Sequence, residues 1–225
     1  FFFKQKTAYE IKECDWSSDV CSSDLFAAQY LMVHPSVPAR TVQDFVVLAK
    51  KNPGKLNGSA GGNSSEMTIA LFRIKTDTRT EIIPYKGTGQ AVLAVATGEA
   101  DFGIMDASAW LPLIASKRVR ALAVVGPKRI AILPNVPTTQ EAGLPDFATG
   151  AQFGVFTTGG TPMAVVRKLN ADINRVVATP EVTKGFQATG LEPASTTVEN
   201  YTKQYLADLA MWKDVVARAK IPMTD

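Results

Sequence analysis

Ser59-Ala60-Gly61-Gly62-Asn63-Ser64-Ser65 is the stretch of this sequence whose residue types are best suited to chemistry. A Gly-rich loop entering a helix exposes backbone N–H groups, and the helix dipole adds partial positive charge at the same place. The dipole contributes about 0.3–1 kcal/mol when exposed and up to about 2 kcal/mol when partly buried. Each hydrogen bond to a charged group adds about 1.5–3 kcal/mol, so two or three contacts suffice to hold a carboxylate. No Gly-Lys-Ser/Thr follows, so this is not a P-loop, and the glycines do not have the spacing of a dinucleotide fingerprint. The loop alone leaves open a second reading, a flexible turn with a serine cap. Two further positions end predicted strands, where open α/β sheets place ligand contacts. In Tyr85-Lys86-Gly87, Lys86 reads equally as a solvated cation, while Gly87 and Thr88 lead into a helix and offer backbone amides. Asp106 reads either as a ligand contact or as the cap of the helix that follows it.

Other chemistries find little support. His34 is the single histidine, and one His without Cys cannot assemble a zinc site with the usual ligands. A Ser-His-acid triad would need His34 beside Ser64 or Ser65, and nothing in the sequence places it there. A packed or hydrogen-bonded hinge histidine is the expectation. Trp110 and Trp212 are expected to be core residues of their helices. No metal, cofactor or catalytic residue is assigned.

The elements that must position these residues follow from periodicity. Tyr30–Val33 is strand-like and is stopped by Pro35 and Pro38. Thr41 is the expected N-cap of a helix whose stripe is Val42, Phe45, Val46 and Ala49, ended by Pro53-Gly54. The Gly/Ser/Asn stretch 57–65 leads into a helix through about Ile74. A strand at 81–84 and a helix to Gly98 follow. Next come a strand at 101–105, a helix from Ala107 to Ser116, and an apolar strand at 120–125. Strands alternating with helices predict a parallel, helix-flanked sheet. Pro134, Pro137, Gly143 and Pro145 punctuate a loop-rich section with one short helix expected near Thr139. A strand at 152–156 precedes a largely helical last third. There Pro162 opens a helix, and Val165, Val166, Leu169, Ile173 and Val176 share one face.

The chain has 225 residues, 46% of them hydrophobic, with 24 Lys+Arg against 21 Asp+Glu. That apolar fraction suits a protein with a core and excludes a disordered one. No Lys/Arg run marks a nucleic-acid or membrane-surface binder, and no long apolar stretch marks a membrane span. Residues 1–25 differ in texture from the rest. They show no sustained period, and Ser-Ser-Asp occurs twice. They lack the apolar core and cleavage site of a secretory signal. They resemble a translated sequencing adapter, Cys21-Ser22-Ser23-Asp24-Leu25 reading back as its end, and are expected to be unstructured. Cys14 and Cys21 leave with them, so neither a disulfide nor a metal site is expected. Removing the segment's three lysines and five acids from the totals of 24 and 21 leaves 21 and 16, net +5.

From about Leu31 onward the sequence resembles the periplasmic solute-binding proteins of tripartite tricarboxylate transporters, the Bug family. The matching stretches are Val33-His-Pro-Ser-Val-Pro38, Asn52-Pro-Gly-Lys-Leu56, Gly58-Ser-Ala-Gly61 and Pro84-Tyr-Lys-Gly87. They continue with Arg120-Ala-Leu-Ala-Val124, Leu133-Pro-Asn-Val-Pro-Thr138, Glu141-Ala-Gly-Leu-Pro145 and Gly160-Thr-Pro162. The resemblance implies an α/β fold, a two-lobed type II periplasmic-binding-protein clamshell whose first lobe is incomplete here. Residues 26–34 would be a remnant of lobe 1 and the first crossover, and 35–149 the complete second lobe. Residues 150–225 would be the return crossover and the helical end of lobe 1. It implies a monomeric periplasmic receptor that passes a small carboxylate to transporter membrane subunits. Ser59, Ala60, Gly61, Asn63, Ser64, Ser65, Tyr85, Lys86, Gly87 and Asp106 would be its ligand contacts. Two departures bear on the ligand: Glu66-Met67 stands where many members have Gln-His, and Asp106-Ala107 where many have Asp-Asn. The competing expectations are an effector-binding domain of a transcription regulator and an acyl-transfer enzyme using Ser59 or Ser64. Against the first, no helix-turn-helix pattern is visible; against the second, there is no nucleophile-elbow pattern.

Overall fold

The computed structural model of the chain describes residues 18–126 and 128–219. These form two compact units, one of residues 27–151 and 186–192, the other of 18–26, 152–185 and 193–219.

The first unit is built on a sheet. Its strands are the 27–33 part of β1 (Ser18–Val33), β2 (Asn57–Ala60), β3 (Glu81–Pro84), β4 (Phe102–Asp106) and β5 (Arg120–Val125), in the order β3-β2-β4-β1-β5. β2 runs parallel to β3 and β4, but β1 is antiparallel to both β4 and β5. The expected all-parallel sheet is therefore mixed. Ala27, Ala28, Tyr30, Leu31, Met32 and Val33 are all buried, and an apolar run covered on both faces reads the same in either direction. Of the segment 1–25, residues 18–25 belong to β1, and 1–17, with Cys14, lie outside the described residues. Strand pairing uses backbone groups common to all residues, so it needs no side-chain period.

Helices α1 (Val42–Lys51), α2 (Asn63–Thr76), α3 (Thr88–Thr97) and α4 (Ala107–Ala115) complete the β-α alternation. α1 starts where the sequence predicts. Thr41 Oγ1 accepts from Asp44 N at 3.1 Å, and Asp44 Oδ2 accepts from Thr41 N at 3.0 Å, a reciprocal capping box. Its buried face, Val42, Phe45 and Ala49, faces an aromatic core. Phe45 meets Phe102 edge-on at 5.0 Å between centroids and Phe72 at 5.9 Å, and Phe72 meets Phe147 at 5.5 Å. Trp110 is fully buried and donates to Met105 O.

Two local expectations fail here for identifiable reasons. Asn57–Ala60, read as part of a loop, is a buried strand. Gly58 has low strand propensity, yet a Cβ there would lie 2.5 Å from the Phe102 ring, so close packing overrides propensity. No helix forms near Thr139, because the backbone is already committed. Thr139 N donates to Val124 O, and Val124 N donates to Pro137 O, pinning this segment beside β5.

The second unit contains most of β6 (Gly150–Thr158) and α6 (Pro180–Ala188), and all of α5 (Met163–Val177) and α7 (Val198–Ala219). The short β7 (Leu191–Pro193) precedes α7, and β6 and β7 each pair with β1. Pro162 is the N-cap of α5 rather than a first-turn residue. Of the expected α5 face, Val166 is buried and Ile173 partly so, packed with Val155 and Val198. Val165, Leu169 and Val176 are instead 46%, 38% and 56% exposed. The apolar stripe of α5 is wider than the surface that β6 and α7 present to it. Trp212 is half-buried rather than a core residue.

The capping box gives a direct test. Thr41→Ala should lower global stability by about 1 kcal/mol in a urea titration, with α1 the element whose amides lose most exchange protection.

Candidate functional site

Strands β2, β3 and β4 are adjacent and parallel, and at their C-terminal ends the chain turns into α2, α3 and α4. The N-caps of these helices are Gly62, Gly87 and Asp106, and none supplies a side-chain cap hydrogen bond. Each helix start therefore presents first-turn N–H groups that no cap side chain satisfies. The first two starts touch backbone to backbone. A Cβ on Gly61 would lie 2.5 Å from Thr88 Cα and 2.7 Å from Thr88 N. Tyr85 N donates to Ala60 O at 2.8 Å, fixing the two strand ends together.

The predicted residues divide into bracing groups and accessible ones. Ser59 is fully buried, its hydroxyl donating toward Phe102 O at 3.4 Å, so its side chain is turned into the sheet. Ala60 is buried as well. Ser65 braces the loop: its Oγ accepts from Gly61 N at 2.9 Å and donates to Gly62 O at 2.8 Å. Asn63 and Ser64 are exposed at the start of α2. Tyr85 donates its phenol to Glu99 Oε1 at 3.0 Å. Burial, then Glu99, push its pKa up. Lys86 is exposed, and Gly87 caps α3. Glu66 lies in the first turn of α2, where a carboxylate favours the dipole.

Asp106 ends β4 and is the N-cap of α4 by position, but it caps nothing with its side chain. Burial pushes its pKa above the ordinary value, and a hydrogen bond from Gln29 opposes that rise. Its Oδ1 is buried without a hydrogen-bond partner. Gln29, which sequence reasoning did not single out, is 2% exposed on β1. It donates from Nε2 to Ser64 Oγ at 3.3 Å and accepts at Oε1 from Thr68 Oγ1 at 2.8 Å. The signal available was a lone polar residue inside the apolar run Ala27–Val33. His34 shares a 2.7 Å hydrogen bond through Nδ1 with Ser36, not with Ser59 or Ser64. Among the described residues no group of three His, Cys, Asp or Glu could hold a metal ion. No described helix is long and apolar enough to cross a membrane.

This set of groups offers backbone N–H donors, a serine hydroxyl and an exposed lysine to a small anion, and no activated nucleophile. Comparison with known proteins agrees with that chemistry. The profile of the tripartite tricarboxylate transporter family receptor (TctC) matches residues 9–221. A protein encoded in the tcbD-tcbE intergenic region of Pseudomonas sp. strain P51 is 34% identical over 185 residues, covering 81% of this chain and 55% of the relative. Protein BugT of Bordetella pertussis is 30% identical over 189 residues, covering 83% of this chain and 58% of BugT. This chain thus spans little more than half the length of either. Among solved structures, R. palustris Rpa4515 with adipate aligns with a TM-score of 0.76 at 26% identity, covering 91% of this chain and 69% of that one.

The raised pKa of Asp106 predicts a pH signature. A carboxyl held above its unfolded value contributes stability that is complete below that value and is lost as pH rises through the folded one. Asp106→Asn should therefore melt at a higher temperature than the unsubstituted chain at pH 7–8. The difference should close as pH falls to the ordinary Asp value of 3.8. Equal melting temperatures across that range would show that burial does not burden Asp106.

Proposed function

The chain belongs to the tripartite tricarboxylate transporter receptor family, and we propose that it is an extracytoplasmic solute-binding protein that captures a small organic carboxylate. The observation that carries the reading is the convergence of three helix starts without side-chain caps at the ends of β2, β3 and β4. Helix N-termini bind anions through oriented N–H groups and the dipole, and neutral donors do so without a buried countercharge to desolvate. In this reading the amides of 62–65, 87–89 and 107–108 hold a ligand carboxylate, with the Ser64 hydroxyl and Lys86 beside them. Asp106 accepts from a donor group of the ligand. Ser65, Ala60 and Tyr85 hold the loop ends in place. Adipate in the R. palustris neighbour supports a dicarboxylate as the class to test first.

The remaining roles follow from the same reading. The protein works in the periplasm as a monomer and delivers its ligand to the membrane subunits of a secondary transporter. Residues 35–149 make up one lobe together with the β1 segment 27–33, and most of 150–219 returns to the other. A serine-dependent enzyme is disfavoured by the buried Ser59 and by His34 lying with Ser36.

Titration with succinate, malate and adipate, followed by amide NMR shifts, should perturb residues 61–65, 87–89 and 107–108. The diamide of adipate should leave them unmoved, and added salt should weaken the effect. Gly61→Ala, which drives a Cβ into the Thr88 backbone, should lower affinity by about 10-fold or more. If none of the three diacids perturbs these amides, or the diamide does so equally, the carboxylate reading is wrong.

A further inference from the structure

Gln29 is an expensive residue to bury. At 2% exposure in the middle of β1 it must have its amide satisfied, whereas a leucine of similar size would need nothing. All of its partners lie at the candidate site. Oε1 accepts from Thr68 in the second turn of α2, Nε2 donates to Ser64 in the first turn, and the side chain favours the charged form of the Asp106 carboxylate. Asp106 stands directly opposite Gln29 in the antiparallel β1–β4 register. One side chain therefore ties the start of α2 to the start of α4.

The direction of the amide is fixed by one partner. The Ser64 hydroxyl can donate or accept, and the Thr68 hydroxyl has one hydrogen for two acceptors, Gln29 Oε1 at 2.8 Å and Ser64 O at 2.9 Å, so neither sets the orientation by itself. Opposite Gln29 in the strand register, an ionised Asp106 only accepts, which favours the orientation with Nε2 toward it. With Nε2 donating to Ser64 Oγ, the Ser64 hydroxyl keeps its own hydrogen for another acceptor, and Ser64 is exposed.

We propose that Gln29 is a positioning residue of the carboxylate site, holding the starts of α2 and α4 at a fixed spacing and turning the Ser64 hydroxyl into a donor for the ligand. The proposal rests on the carboxylate-binding reading for its functional meaning. Its structural half stands on the contacts within this unit.

Hydrogen exchange and the NMR titration above test both halves. Gln29→Met, close in shape and without hydrogen bonds, should speed amide exchange about 10-fold or more in the first turns of α2 and α4. Strands β2 and β3 should keep their protection. Ser64→Ala should cost about 10-fold in diacid affinity in the unsubstituted chain, and distinctly less in the Gln29→Met background, because the oriented hydroxyl is already lost. Gln29→Glu puts a carboxylate against Asp106 and should also loosen both helix starts. Combining it with Asp106→Asn exchanges donor and acceptor and should restore slow exchange. Unchanged or evenly raised exchange across the sheet in Gln29→Met, or strict additivity with Ser64→Ala, would overturn the proposal. If the unsubstituted chain binds no diacid, the functional reading falls, and the exchange pattern still decides whether Gln29 clamps the two helices.

Discussion

The contact between Gly58 and the ring of Phe102 is the constraint on which the sheet unit depends. The ring occupies the space that any Cβ at position 58 would fill, so β2 can lie directly against β4 only with glycine there. A similar closeness recurs at Gly103, where a Cβ would meet Met105, the Ser59 hydroxyl and Trp110. With β2 seated between β3 and β4, three parallel strands end side by side. The loops after β2 and β3 then meet at the backbone contact between Gly61 and Thr88. The same Phe102 ring starts the aromatic chain through Phe45 and Phe72 to Phe147. Close packing of one ring thus links the core to the geometry of the site.

What the sequence reveals depends on whether the determining interaction is local. The start of α1 was legible because Thr41 and Asp44 carry their capping box within four residues. The end of α3 was legible for the same kind of reason, Gly98 being its left-handed C-cap, and the strand at 120–125 from its apolar run, whereas α2 runs past the expected Ile74 to Thr76. β2 was not, because its stability comes from a phenylalanine far along the chain rather than from its own residues. The direction of β1 was not, because burial on both faces erases the alternation that would betray it. The loop 57–65 drew notice through its glycines, and the structure divides it into a strand, a brace and a helix start. Gln29 was missed because a single polar residue in an apolar run carries no spacing signal; its meaning appears only when α2 and β4 are brought beside it.

The site's electrostatics rest on oriented neutral groups more than on ions. Lys86 is exposed and screened by solvent, while the helix-start amides are fixed by backbone packing. Fixed dipoles need little reorganisation when an anion arrives. They also choose by hydrogen-bond geometry as well as by sign of charge. Asp106 fits the same logic from the other side. Placed among N–H donors, an unpartnered carboxylate oxygen rejects anionic groups close to itself and favours a donor. A ligand whose carboxylate lies on the helix-start amides is thereby turned with its donor group toward Asp106 Oδ1.

The two units differ in how much holds them together, and that difference bears on where a binding site can be rigid. The sheet unit contains the full aromatic chain and the buried run of β1. In the other unit, Val166 and Val198 form a small buried cluster with Val155 and Ile173, and the rings of Phe156, Tyr201 and Tyr205 form a second cluster. Among the described residues, seven of the nine exposed large hydrophobics belong to that unit: Phe153, Phe156, Met163, Val165, Leu169, Val176 and Leu206. Apolar side chains left in water contribute none of the roughly 25 cal/mol per Å² that burial provides. Sparse burial and exposed backbone hydrogen bonds mark the regions that open at lowest free energy. The α5–α7 unit should therefore exchange its amides well before the sheet unit does. The three converging helix starts lie on the unit with the denser core, where preorganised N–H groups can keep their directions while the α5–α7 unit opens.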